Sequence, residues 1–127
     1  MSNVAASPDV YRRGAVLAAS REQLVVMLYD GARRFLRQGA IAMREGQIER
    51  AHNALRRCEF ILGSLDSALD FEQGQVSERL HSIYGFCLVH LNRARLKQDA
   101  TMVEEVSEML GELRDAWVQI AAAAPHA

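Results

Sequence analysis

The sequence predicts an all-α fold, an antiparallel up-down four-helix bundle with a mobile N-terminal arm. Three observations predict it. Apolar residues recur in alternating steps of three and four along four separate stretches. Two prolines occur, Pro8 and Pro125, and they bracket those stretches without entering them. No stretch alternates apolar with polar residues as a half-buried strand does, and no long repeat is present. A chain of 127 residues suits one domain that builds its own core.

Residues 1–19 lack periodicity and mix Ser, Asn, Pro and Gly, so they are expected to form a mobile arm or cap. Ser20-Arg-Glu-Gln23 predicts a capping box opening a helix over about 20–45. Leu24, Leu28, Gly31, Phe35 and Ala42 share one face of it, Ala32, Leu36 and Met43 widen that face, and Gly46 ends it. A second helix over about 47–71 carries Ile48, Ala51, Leu55, Cys58, Leu62, Leu65 and Leu69 as a seam, broadened by Ala54, Ile61 and Ala68. Gly74 closes the next turn. The third helix, about 75–97, turns Val76, Leu80, Ile83, Cys87, Leu91 and Ala94 inward. Thr101 and Glu104 suggest another capping box, opening a fourth helix over about 101–122 with Val103, Val106, Leu110, Leu113, Trp117 and Ile120 inward. Residues 123–127 are expected to be a flexible tail. Short connections between four such helices imply antiparallel neighbours.

Charge and composition exclude several classes of function. Fifteen Lys and Arg against sixteen Asp and Glu leave a formal charge of −1, unlike a generic nucleic-acid binder. The balance hides an asymmetry: residues 1–57 sum to +5 and residues 58–127 to −6. The two faces either attract each other weakly or present a docking surface to a partner. The longest apolar run, Leu24 to Tyr29, is too short to span a bilayer, and residues 1–20 lack the order of a signal peptide. Two cysteines without a CxxC motif give neither a disulfide framework nor a zinc site. A reduced, cytoplasmic protein without direct membrane insertion is expected.

Little in the chain reads as catalytic. Glu49–His52 and Glu78–His81 match the E-x-x-H pairs of di-metal bundles, but each glutamate lies nearly opposite its helix's apolar seam. Each pair also opens its own helix, so an antiparallel hairpin puts the two at opposite ends. His52 is reminiscent of the phosphoryl-accepting histidine of a phosphotransfer bundle, yet Leu55 and Arg56 stand where that chemistry wants a small residue and a lysine. Cys58 and Cys87 both point inward and are expected to be small core thiols. No metal, cofactor or enzymatic activity is expected.

Apolar residues outside the seams are more informative. Phe60 projects about 160° from its seam, and Phe86 and Val89 about 110–170° from theirs. Tyr11 and Val16 lie in the otherwise polar arm. Together they suggest either a groove that the arm covers until a partner segment arrives, or an arm packed permanently on the bundle.

From Tyr11 onward the chain resembles the FliS family of flagellar export chaperones. The match is carried by Leu24-Val-Val-Met-Leu-Tyr-Asp-Gly-Ala-Arg-Arg-Phe-Leu36, preceded by Tyr11, Val16 and Ala19-Ser20. It continues through Ala51, Ile61-Leu62, Leu65, Leu69-Asp70, Leu80, Ile83-Tyr84, Leu88, Ala94, Lys97, Asp99, Glu105-Val106, Leu110, Leu113-Arg114 and Ala116-Trp117. The chain departs from the family pattern at Arg21, where a proline is usual, and at Arg95, where an asparagine is usual. The resemblance implies a small helical bundle that binds the disordered C-terminal segment of flagellin, prevents its premature polymerisation and delivers it to the cytoplasmic domain of the export-gate protein FlhA. Some members also bind the anti-sigma factor FlgM. It further implies an N-terminal arm displaced by flagellin, here bearing Tyr11 and Val16. Candidate groove residues are Met27, Tyr29, Phe60, Tyr84, Phe86 and Val89, of which Met27 and Tyr29 fit the core equally well. A histidine phosphotransfer bundle and a structural helical adaptor remain the alternatives.

Overall fold

The computed structural model describes residues 19–123, which form four antiparallel helices: α1 (Arg21–Arg44), α2 (Ile48–Ser67), α3 (Gln75–Lys97) and α4 (Ala100–Ala123). Among these residues there is no strand. α1 opens on the expected capping box. The Ser20 hydroxyl accepts from the Gln23 amide at 3.2 Å, and the Gln23 side chain accepts from the Ser20 amide at 2.8 Å. Arg21 in place of a proline therefore still leaves a satisfied helix start. At the far end Gly46 takes a left-handed φ of 72°, which lets the Gln47 amide return to the Ala42 carbonyl at 2.8 Å.

Two expected boundaries are corrected. α2 stops at Ser67 rather than near residue 71. Asp70 intervenes, accepting from the Glu72 amide at 3.0 Å and opening a single 3-10 turn over Phe71–Gln73. The Ser77 hydroxyl pins that turn by donating to the Asp70 carbonyl at 2.6 Å. Likewise, Thr101 and Glu104 form no capping box. Asp99 caps α4, accepting from the Thr101 and Met102 amides at 3.0 and 3.3 Å. Glu104 instead takes both terminal guanidinium nitrogens of Arg44 at 2.7 Å each, which ties α4 to α1 and holds its carboxyl below the usual range.

α1 lies closest to α4 and α2, while α3 stands diagonally across the bundle, with wider backbone separations from its neighbours. Small residues permit the close approaches. A side-chain carbon at Gly39 would lie 3.1 Å from Leu55 Cδ2, so this glycine sets the α1–α2 spacing. At Gly31 the nearest atoms would be 3.6 Å away, an ordinary contact. The core is built from Leu36, Leu55, Leu62, Leu91, Val103, Val106 and Leu110, with Cys58, Cys87, Tyr29 and Tyr84 fully or almost fully enclosed.

The α1 seam is also rotated relative to expectation. Its buried line runs Tyr29, Ala32, Leu36, Ala40 and Met43, whereas Leu28 is exposed. Tyr29 turns inward because Tyr84 offers its hydroxyl a partner there. Ile48, Val76 and Ile120, expected inward, are exposed near the ends of their helices. Ala68 is exposed too, because α2 has already ended.

Candidate functional site

Tyr29 and Tyr84, expected as candidate groove residues, are core residues, with 0% and 2% of their surface exposed. Their hydroxyls meet across the bundle at 2.5 Å. Burial pushes both phenols above their usual range, Tyr84 the further, because its hydrogen bond to Tyr29 raises it again. Tyr29 offers no surface to a partner, Tyr84 reaches only the wall of a cleft at one end of the bundle, and the pair holds α1 to α3. Met27, two positions before Tyr29, is half-buried.

Phe86 and Val89 are exposed on α3, at 53% and 54%, and Leu96 extends the same face at 77%. Leu96 follows Val89 by seven residues, two turns of helix, a repeat that the sequence already displays and that was not read as part of the stripe. The Phe86 ring stacks on His90 with centroids 5.3 Å apart and planes 17° apart. His90 Nε2 in turn lies 3.1 Å from Glu105 of α4. These contacts place Phe86 toward α4, while Val89 and Leu96 stand on the face of α3 that points away from the core.

Phe60, on α2, is 76% exposed. On α2 the line that meets α3 is Glu59 and Asp66, which bond Arg95 and His81 at 2.6 and 2.7 Å. Arg57, one turn before Phe60, stands over the Phe35 ring of α1 at 5.7 Å. Phe60 lies between these two lines, on the face of α2 that points away from the core.

A second apolar feature lies at one end of the bundle, where α1 begins, α2 ends, α3 begins and α4 ends. Val25, Leu65, Leu69, Leu80 and Trp117 line a cleft of about 460 Å³. Arg21 and Glu22 stand at its rim, so the chain preceding Ser20 joins the bundle beside it. Tyr11 and Val16, the candidate arm residues, lie outside the described residues. Sequence reasoning missed this cleft because its walls come from four helix ends whose residues each read as ordinary seam.

Other reactive side chains have structural roles here. Cys58 and Cys87 are free and buried, and burial raises their thiols to about 12 and about 11. His81 is held by Asp66 and sits edge-on to Phe71. Arg95, at the position where the family pattern has asparagine, bridges α3 to α2 through Glu59 and also donates to Asn92 at 3.2 Å. Among the described residues no helix is long and apolar enough to cross a membrane, and no cluster of His, Cys, Asp and Glu is placed to hold a metal ion.

The family model described as "Flagellar protein FliS" matches residues 2–124. The chain belongs to the FliS family. It is 32% identical to the flagellar secretion chaperone FliS of Salmonella typhimurium over 121 residues, covering 94% of this chain and 90% of that one. It is 36% identical to the FliS of Vibrio cholerae over 104 residues, 81% of this chain and 76% of the other. The FliS of Bacillus subtilis matches at 29% over 109 residues, 86% and 81% of the two chains. The FliS match spans all four helices, so the stripe on α3 and the end cleft both belong to a flagellar export chaperone.

Proposed function

We propose that this protein binds the disordered C-terminal segment of flagellin in the cytoplasm, keeps it from polymerising and hands it to the flagellar export gate. The observation that carries this reading is the family match across residues 2–124, on a bundle whose α3 leaves Phe86, Val89 and Leu96 uncovered. An apolar helical stripe of this kind suits a segment that folds on contact: its anchors enter one after another, and most of the gross attraction is offset by ordering the ligand. The reaction is association and release, with no covalent step.

In this reading the N-terminal arm, residues 1–19, covers the apolar surface until flagellin displaces it. Displacing such a cover lowers the net affinity of the incoming segment and so eases later release. The cytoplasmic domain of FlhA is the receiving partner in this reading, and FlgM a second client. A phosphotransfer role for His52 would leave the α3 stripe without purpose.

The test is Phe86→Asp, with Leu96→Asp beside it, titrated with the C-terminal segment of the cognate flagellin. Both side chains are exposed, so helicity should be retained while affinity falls by roughly tenfold or more, as expected for loss of an apolar anchor. Unchanged affinity in both variants would remove the stripe from the binding surface.

A further inference from the structure

Cross-helix ion pairs cover most ridges of the bundle. Arg44–Glu104 and Arg114–Asp30 tie α1 to α4, Glu59–Arg95 and Asp66–His81 tie α2 to α3, and His90–Glu105 ties α3 to α4. Among the described residues the α1–α2 ridge has none, although it is one of the two closest packings. It holds instead a cleft of about 410 Å³, lined by Ile41, Ala42 and Ala54 and by Arg50 and Arg57. Ile41 is half exposed over it.

The arginines here pair with no carboxylate, as is true of most basic side chains among the described residues. Arg50 reaches only the Gln47 amide oxygen, at 3.1 Å, and Arg57 lies over the Phe35 ring. Further along the ridge the Arg34 guanidinium leans over Gly31 beside Ile61. None of the three has a carboxylate within ion-pair distance among the described residues, even though Glu45 lines the same cleft. A guanidinium stays charged at any physiological pH and offers a planar fork that fits a carboxylate. Arg50 and Arg57 are seven residues apart on one helix, about 10 Å along its axis, the spacing of two carboxylates two turns apart on a partner helix.

We propose that the α1–α2 cleft docks an acidic amphipathic helix of a second protein, its carboxylates on Arg50 and Arg57 and its apolar side chains over Ile41. This goes beyond the flagellin reading. The cleft lies where α1 ends and α2 begins, at the opposite end of the bundle from the apolar end cleft, and α1 stands diagonally from α3. Both surfaces can therefore be occupied at once, which makes the bundle a bridge between a cargo and an acidic partner.

A second copy fits less well. The acidic residues of this chain are concentrated on α4, where Glu104 and Glu105 are already engaged by Arg44 and His90. Basic α1–α2 ridge against acidic α4 would also be a head-to-tail contact that propagates instead of closing into a dimer.

Two fluorescent helical probe peptides test the proposal without flagellin. One carries glutamates two turns apart around leucines, and the other has lysines in their place. Anisotropy should show saturable, salt-sensitive binding of the glutamate peptide alone, weakened roughly tenfold by Arg50→Glu or Arg57→Glu, as for a charge-assisted contact turned repulsive. Arg50→Glu decides the matter if Arg57→Glu disturbs the Phe35 contact. Saturating flagellin segment should leave the peptide affinity unchanged. Equal binding of both peptides, indifference to Arg50→Glu, or competition by flagellin would each overturn it. Self-association abolished by Arg50→Glu, with no peptide binding, would also overturn it and assign the ridge to a second copy.

Discussion

The Tyr29–Tyr84 pair makes a specific demand at the scale of single residues. Each phenol is buried and each hydroxyl has the other as its partner, so removing one strands the other. Tyr29→Phe or Tyr84→Phe alone should destabilise the bundle by about 1–3 kcal/mol, and the double change by less than the two single losses together. Denaturant midpoints of the four proteins check this, and strict additivity would contradict it. The pair also predicts alkaline sensitivity. Both phenols ionise less readily folded than unfolded, so the unfolded chain releases protons first, near its ordinary pKa of about 10. Their contribution is complete below that pH and is lost as pH rises above it. Stability measured at pH 8 and pH 11 should fall more for the natural protein than for the double phenylalanine variant. Tyr29 was placed on the correct helix by sequence reasoning, but its inward direction was not legible, because its partner lies 55 residues away.

Among the elements, α4 depends on a cap that the sequence pattern obscures. Thr101 and Glu104 have the right types at the right spacing, while Asp99, two residues before Thr101, is a preferred cap without a box partner. Arg44, 60 residues upstream, settles the choice by engaging Glu104. Asp99→Ala should therefore cost about 0.5–2 kcal/mol, and Thr101→Ala much less, in thermal or chemical unfolding. The reverse order would restore the Thr101 cap. Ser20, by contrast, was legible because both halves of its box lie within four residues and nothing distant competes. Helical-wheel arithmetic also exposed Phe60, Phe86 and Val89 correctly. It misjudged the seam of α1, since the rotation of each helix against its neighbours is set by tertiary packing.

The charge of the whole molecule is arranged differently from the sequence halves. α4 carries Glu104, Glu105, Glu108, Glu112 and Asp115 against Arg114 alone, while α3, in the acidic half, carries Arg79, Arg93, Arg95 and Lys97 against Glu78. One acidic helix thus sits between two basic neighbours, α1 and α3, and its ion pairs run to both. That arrangement spends the acidic side chains on one side of the bundle and leaves the apolar stripe of α3 for a ligand that brings its own complement. If the N-terminal arm covers the apolar surface, deleting residues 1–17 should tighten flagellin binding, and weaker binding would show that the arm supplies contacts itself. The central claim, that an apolar surface of this bundle folds the C-terminal segment of flagellin, is tested most directly by calorimetric titration of the full chain with that segment at several temperatures. Saturation near one to one with a clearly negative heat-capacity change is the predicted result. No heat and no binding at tens of micromolar (roughly a −6 kcal/mol threshold), with both components soluble, would contradict it.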